Sequence, residues 1–346
     1  MRTKKVTLDE FLLSELRLYP NATGELSRLL SEISVAAKRI YAAFSPTAEN
    51  ETTPGATKRN MSGEVIKKPD QLANEELLRV LKQSMSCAGA ASEEEESVLV
   101  FDNSVNNRSK YVVMFDPIDG SSNCDNCMTV GTIFGVYRRS SESGKACMAH
   151  DFLQKGRRLV AAGYILYGLR TMLVYATKRG VNGFTLDATI GEFCLTHPAI
   201  RCPDSGKIYS VNESNILRFS DAVREYIRGL QRYNVTFPGS FTARYVGSMV
   251  ADLHRTLLEG GIFLYPSMDE APEGKLRLLY ESNPFAFIFE VAGGLASDGR
   301  GNILDIMPHS LHQRTPVFIG SAEMVRQLCR FVKYDYRFGV KPQRQF

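Results

Sequence analysis

The sequence predicts an α/β layered (α+β) protein, and three observations carry that expectation. Strand-like runs such as YVVMF at 111–115 are interleaved with segments of helical periodicity. The 346 residues, 44% hydrophobic and 23% charged, have the composition of a globular chain of one or two domains. The longest uncharged apolar run, LVAAGYILYGL at 159–169, is broken by glycine and falls well short of the ~20 residues of a membrane helix.

The elements follow in order. Leu26, Leu29, Leu30, Ile33, Ala37, Ile40 and Phe44 recur at helical spacing and predict a helix from about Glu25 to Phe44. The polar stretch from Ser45 to Asp70, rich in Pro, Gly, Thr and Asn, reads as a long mobile loop. A second helix is expected from Leu72, Leu77, Leu78, Leu81 and Met85. YVVMF, TIFGVY, GYILYG and MLVYAT read as buried strands, and Asn182-Gly183 as a turn before a further strand. Helical signals return at Met249–Leu258 and stop at Gly260-Gly261, GIFLYP reads as a strand, and Asn283-Pro284 is expected to open a helix running to Gly293.

Several function classes are excluded. A net charge of +4 is too small to argue for a nucleic-acid partner. None of the Gly-Lys pairs completes a phosphate-binding P-loop, Gly299-Arg300-Gly301 lacks the third glycine of a dinucleotide fingerprint, and neither G-x-S-x-G nor H-E-x-x-H occurs. No leader is read in MRTKKVTLDEFLLSEL, so the expected location is cytoplasmic, where the seven cysteines would be reduced thiols. Cys124 and Cys127 form a lone C-x-x-C, readable as ordinary thiols or as a redox-sensitive pair.

Chemistry concentrates in three acidic or basic segments. Asp116-Pro-Ile-Asp119-Gly120-Ser121-Ser122 directly follows a strand. Carboxylates three residues apart suit hard divalent cations, and Gly-Ser-Ser amides suit phosphate. The same residues also read as a strand, an Asp-Pro turn and a helix cap. Glu93–Glu96 reads as a solvated loop or as further ligands. On a strand, Lys275, Arg277, Leu279 and Glu281 would share one face, either a salt-bridged surface or a cationic clamp on a metal-bound phosphate.

With those residues in view, the chain resembles the fructose-1,6-bisphosphatases, within the lithium-sensitive phosphatase superfamily that includes inositol monophosphatases. The resemblance runs from about Asp9 to Val332. It rests on SEEE at 92–95, KYVVMFDPIDGSSN at 110–123, GTIFGVYRR at 131–139, LVAAGYILYG at 159–168 and KIYSVNE at 207–213. It continues through ARYVGSMVADLHRTLLEGGIFLYP at 243–266, GKLRLLYESNPFAFIFEVAGG at 274–294 and HQRTPVFIGS at 312–321.

The resemblance implies the sugar phosphatase fold of alternating αβαβα layers. It divides the chain into an N-terminal domain (1–200) holding a regulatory site, the mobile loop (45–70) and the metal-binding acids, a substrate-binding domain (201–332), and a basic tail (333–346). It implies hydrolysis of the 1-phosphate of fructose 1,6-bisphosphate, a step of gluconeogenesis. Up to three divalent ions are expected per subunit, Mg2+ with Mn2+ or Zn2+ as alternatives. The implied ligands are Glu93, Asp116, Asp119, Glu281, the Ile118 carbonyl and Glu64, the last standing where the family usually has Asp. Glu94 paired with Asp70 would take the proton, with Asp119 and Arg277 as further catalytic groups, and Gly120, Ser121 and Ser122 would hold the 1-phosphate.

The far end of the sugar is implied to meet Asn212, Arg244, Tyr245, Tyr265 and Lys275, with Gly247, Ser248 and Met249 lining the pocket and Asn215 standing in place of a usual Tyr. The Arg244 equivalent comes from a neighbouring subunit, so a homo-oligomer, usually a tetramer, is implied, with no nucleic-acid or membrane partner. Thr23, Gly24, Glu25 and Ser27 at the first helix start, with Lys110, Tyr111 and Arg138, resemble an inhibitory AMP site. Sedoheptulose 1,7-bisphosphatase, an inositol-type phosphatase and a weak paralogue that senses AMP or sugar phosphate are the alternatives. The net positive charge falls between Arg330 and Phe346, where Arg330, Lys333, Arg337, Lys341 and Arg344 face Asp335 alone, so the C-terminal tail is expected to be a solvated appendage or a docking segment.

Overall fold

The computed structural model describes residues 5–18, 22–44, 68–236 and 240–338. Most of the loop predicted over 45–70, Glu64 included, therefore lies outside the described residues.

Eight strands form the larger sheet: β1 (Cys87–Ser92), β2 (Leu99–Val100), β3 (Tyr111–Asp119), β4 (Val130–Arg138), β5 (Leu159–Tyr167), β6 (Met172–Thr177), β7 (Gly180–Asp187) and β8 (Glu192–His197). Their order is β2-β1-β3-β4-β5-β6-β7-β8, and only β1 and β3 run parallel. Along β3, Val113 and Phe115 enter one apolar cluster while Val112 and Met114 enter the other. A strand buried on both faces reads as a continuous apolar run, which is why YVVMF does not alternate.

A second sheet holds β9 (Ile208–Ser210), β10 (Thr242–Ala243), β11 (Ile262–Tyr265), β13 (Leu295–Ser297) and β15 (Val317–Gly320), in the order β10-β9-β11-β15-β13. A two-stranded ribbon pairs β12 (Leu276–Arg277) with β14 (Arg314–Thr315).

The helices fill the layers between and outside. On the outer face of the larger sheet lie α1 (Leu8–Arg17), α2 (Glu25–Ala43) and α3 (Lys68–Gln83), with Leu29, Ile33, Leu77 and Leu81 packed among Val113, Phe115 and Phe134. Between the sheets lie α5 (Met249–Glu259) and α6 (Asn283–Ala292). The sequence NPFAFIFEVA of α6 is almost wholly buried, as a helix roofed by sheet on both sides must be. On the far face of the second sheet, α4 (Asp221–Thr236) and α7 (Ala322–Phe338) pack through Val223, Ile227, Val325 and Leu328 against Ile262 and Phe318. The result is the expected αβαβα order. One apolar cluster runs unbroken from Val112 and Tyr164 to Phe263 and Val317, so the two sheets share a core.

Four readings are corrected. Asn182-Gly183 lies inside β7, where Gly183 pairs with Val174. Beside Gly183 the register to β8 slips, so the pair marks a β-bulge; the tight connection is Lys178-Arg179, between paired Thr177 and Gly180. Met85 lies beyond α3 and is exposed. Asn283 is already helical rather than a cap, because a π turn at Leu278–Ser282 leads into α6. The boundary drawn at 333 falls inside α7, which continues to Phe338. The sequence reading also missed α1, whose Thr7-x-x-Glu10 capping box is formed, with Thr7 N donating to Glu10 Oε2 at 3.0 Å.

Candidate active site

Three strand and turn ends bring the predicted acids together. Glu93 leaves the end of β1, Asp116 sits near the end of β3, and Glu281 is turned inward by the π turn after β12. One carboxylate oxygen from each of Glu93, Asp116 and Glu281 lies within 4.8 Å of the other two. The shared face expected on a strand from Lys275 to Glu281 does not form, since only Leu276–Arg277 is strand. The wide π turn returns Glu281 instead, whose Oε2 accepts the Arg277 backbone N–H at 2.5 Å.

A bulge shapes the middle of the site. Asp116 pairs with Ile133 and Asp119 with Gly131, so Pro117 and Ile118 are accommodated by a register shift. Thr132 Oγ1 donates to the Pro117 carbonyl at 2.7 Å and holds the irregularity. Past it, Asp119 faces a different element: its Oδ2 accepts from Ser248 Oγ at 2.5 Å and from Val250 N at 2.9 Å, at the start of α5. The three-carboxylate cluster thus does not include Asp119, which is nonetheless near enough for its charge to act on Glu93, Asp116 and Glu281.

The electrostatics are those of an anionic site closed off from water. Burial pushes the Glu93 carboxyl up to about 7, against the pull of the Arg277 guanidinium. Burial, then mutual repulsion, raises Asp116 and Glu281 well above the carboxylate range. Asp119 is also raised by burial, with its hydrogen bonds to Ser248 and the α5 amides opposing. Arg277 Nη1 donates to Glu93 Oε1, while no nitrogen or hydroxyl donor among the described residues reaches the buried Glu93 Oε2. An all-oxygen donor set with an orphaned buried oxygen is the environment a hard divalent cation satisfies, so the residues fit such an ion.

Gly120 follows Asp119 with φ 75°, and a Cβ there would stand 2.7 Å from the Ser248 Cβ. Ser121 and Ser122 open a short 3-10 helix, Ser121–Asn126, instead of an α-helix. Asn123 ties that helix to the Thr129 and Val246 carbonyls at 3.4 and 3.3 Å, setting Gly120-Ser121-Ser122 against Gly247-Ser248. Cys124 and Cys127 lie on the same turn as thiols, Cys127 exposed.

Asp70, expected at the end of a loop, stands in the first turn of α3, buried, and its charge reaches Asp116. Glu94 is half-buried beside Glu93. Tyr245 is raised to about 12 by burial, then by Tyr265, Asp252 and Asp119, which places it near Tyr265 and those acids. Arg244 and Lys275 are exposed, and Asn212 caps a 3-10 turn by accepting from Ser214 N at 3.2 Å, with Asn215 N donating to its carbonyl at the same distance. The Met249 side chain belongs to the core, so only its backbone is available to a pocket. Asn74 and His312, to which the sequence reading gave no role, hold the acidic loop: Asn74 Nδ2 donates to Glu95 Oε1 at 2.7 Å, and His312 Nε2 lies 3.1 Å from the Glu95 carbonyl.

The seven residues read as a nucleotide site line one cavity of ≈ 380 Å³: Thr23, Gly24, Glu25, Ser27, Lys110, Tyr111 and Arg138. Gly24 begins α2 in the left-handed region with no side-chain cap, leaving first-turn amides for an anion. Lys110 Nζ lies 2.6 Å from Glu25 Oε1 and donates to Thr23 Oγ1 at 3.0 Å. Leu12, Glu15, Thr177, Lys178 and Arg179 also line it, supplied by α1, the end of β6 and the β6–β7 connection, which sequence patterns did not associate with it.

The site residues belong to segments that match known proteins. The family model for the fructose-1,6-bisphosphatase N-terminal domain matches residues 6–198, and that for the C-terminal domain matches residues 202–333. The chain is also similar to the crystal structure of Leishmania major fructose-1,6-bisphosphatase in holo form, at 38% identity over 96% of this chain and 100% of that one, with a TM-score of 0.86. Glu93 and Asp116 lie in the first matched domain and Arg277 and Glu281 in the second, so the acidic centre is assembled across both. The chain belongs to the fructose-1,6-bisphosphatase family.

Proposed function

We infer that the chain hydrolyses the 1-phosphate of fructose 1,6-bisphosphate, giving fructose 6-phosphate and phosphate. The observation that carries the reading is the convergence of Glu93, Asp116 and Glu281 within 4.8 Å, against Arg277. The proposed cofactor is Mg2+, with Mn2+ or Zn2+ as alternatives and up to three ions per subunit, held by Glu93, Asp116, Glu281, Asp119, the Ile118 carbonyl and Glu64. Bound divalent cations would supply Lewis-acid stabilisation of the phosphoryl oxygens and a nucleophilic water at neutral pH.

The chain's own groups would do the rest. Arg277, buried and pointed at the cluster, balances charge on the transferring phosphoryl group. Gly120, Ser121 and Ser122 bind the 1-phosphate. Glu94, with Asp70 beside it, accepts the proton of the attacking water. Asn212, Asn215, Arg244, Tyr245, Tyr265 and Lys275 hold the sugar and its second phosphate, alongside Gly247, Ser248 and the Met249 backbone.

The reading extends to inhibition by AMP in the cavity at the start of α2, to a cytoplasmic homotetramer, and to a division into 1–200 and 201–332 with a basic C-terminal segment that begins within α7. No described helix is long and apolar enough to cross a membrane.

Phosphate release from fructose 1,6-bisphosphate with Mg2+, with and without AMP, and with sedoheptulose 1,7-bisphosphate as competitor, tests substrate, cofactor and regulation together. Glu94→Gln is expected to lower kcat by about 10²–10⁴ with KM little changed. Turnover near wild type would refute the assignment of the base.

A further inference from the structure

A chain of hydrogen bonds, all donating in one direction, runs from the Glu94 backbone into α3. Glu94 N donates to Ser92 Oγ at 3.2 Å, Ser92 Oγ donates to Asn74 Oδ1 at 2.7 Å, and Asn74 Nδ2 donates to Glu95 Oε1 at 2.7 Å. Its direction is set at the far end. An ionised carboxylate only accepts, so the Asn74 NH2 must face Glu95 and its carbonyl must face Ser92. Ser92 therefore spends its single proton on Asn74 and offers its lone pair to the Glu94 amide.

The surroundings make this chain rigid. Ser92 is fully buried at the end of β1, and Asn74 is 7% exposed. Glu95 N donates to the Ser92 carbonyl at 3.3 Å, which closes the acidic loop on itself, and Glu93 N continues the β1–β3 ladder onto the Phe115 carbonyl at 3.1 Å. On the other side His312 Nε2, which must carry its proton to meet a carbonyl, holds the Glu95 backbone at 3.1 Å. Asn74 also stands four residues after Asp70, on the same face of α3. One amide thus fixes both the loop that carries Glu94 and the helix face that carries Asp70.

We propose that Ser92 and Asn74 are positioning residues that set Glu94 against Asp70 through the Glu94–Ser92–Asn74–Glu95 chain, with Glu95 as its anionic terminus. The inference rests on Glu94 as the base. The two groups of the proton-accepting pair come from separate elements, α3 and the β1 loop, and the Ser92–Asn74–Glu95 hydrogen bonds tie those elements together. Loosening it would misplace the base without touching a phosphate contact, so the loss should fall on kcat.

The test is phosphate release from fructose 1,6-bisphosphate at saturating Mg2+ by Ser92→Ala, Glu94→Gln and the double variant. Ser92→Ala removes only a hydroxyl and is expected to lower kcat about tenfold with KM within about twofold, the size of one broken hydrogen bond. In the Glu94→Gln background the same change should cost less than about twofold, because the group it positions is already gone. An unchanged kcat in Ser92→Ala, or an undiminished tenfold loss in the double variant, overturns the proposal while leaving Glu94 as base. Glu94→Gln at the wild-type rate refutes the base itself, and with it the proposal. Asn74→Asp, which keeps the acceptor for Ser92 but sets a second carboxylate against Glu95, guards against a folding defect: with a wild-type melting profile it must show the same kcat loss and the same lack of additivity.

Discussion

Replacing Gly120 with Ala should stop the enzyme at the loop proposed to hold the 1-phosphate. Gly120 has φ 75°, a conformation that costs an L-residue about 1–2 kcal/mol. Its new Cβ would also stand 2.7 Å from Ser248 Cβ and 3.1 Å from Ser248 Cα, against a normal carbon contact of about 3.5–4.0 Å. The loop or the start of α5 must therefore move by about 1 Å. That movement strains the 2.5 Å Ser248–Asp119 hydrogen bond, a charged contact of about 1.5–3 kcal/mol. Together the terms predict a loss of about 3–5 kcal/mol. At ~2.1 cal/mol/K of unfolding entropy per residue, this is a fall in Tm of about 4–7 °C. Because Gly120 stands between Asp119 and the serines, the same 1 Å should cost kcat about a hundredfold.

Gly144→Ala supplies the control for Gly120→Ala. It also has a positive φ, 91°, but a Cβ there meets nothing within 4 Å, so it should lose only the conformational term, about 1–3 °C, and keep its activity. The assays are thermal melts and steady-state phosphate release. If Gly120→Ala retained kcat within about threefold of wild type, or melted no lower than Gly144→Ala, the close packing of Gly120 on Ser248 would not be what holds the loop.

Two further outcomes follow from the site and the cavity. Glu93, Asp116 and Glu281 keep protons in the fold that the unfolded chain releases, so the metal-free protein should lose stability as pH rises from the ordinary 4.5 of a glutamate to about 7. Mg2+ should therefore raise Tm more at pH 8 than at pH 5.5, where protons compete with it; melts in EDTA and in Mg2+ at both values decide this, and equal shifts would refute it. Lys110→Ala with Tyr111→Phe should raise the AMP concentration for half-inhibition about tenfold or more, measured by phosphate release, because it strips two walls of the α2 cavity; unchanged inhibition would place AMP elsewhere.

What the sequence made legible was whatever is local. Apolar runs announced β3 to β6 because both faces of that sheet are covered, whereas seven residues of the α2 cavity, spread from Thr23 to Arg138, came only with the family resemblance. Periodicity failed where the backbone leaves its regular repeat. The π turn at Leu278–Ser282 hides Glu281 from a strand reading, and the bulge at Asn182-Gly183 imitates a hairpin. The roles of Asn74 and His312 were invisible for another reason: they lie in contacts across 21 and 217 residues of chain, which no local pattern encodes. Asp119 was read as one of several equal acids, yet its partners at the start of α5, 129 and 131 residues away, set it apart from the three that cluster.

The seam between the two matched domains has a consequence for the chain as it is made. Synthesis delivers Glu93, Asp116 and Asp119 well before Arg277 and Glu281. Until the later residues arrive, the early acids lack both the guanidinium that tempers Glu93 and the helix start that receives Asp119. On the proposed assignment of the site, an unfinished chain would be chemically silent toward its substrate, and turnover would begin only when the two halves have closed on a common core. Activity in this protein is a certificate of complete folding, issued at the same contacts that complete it.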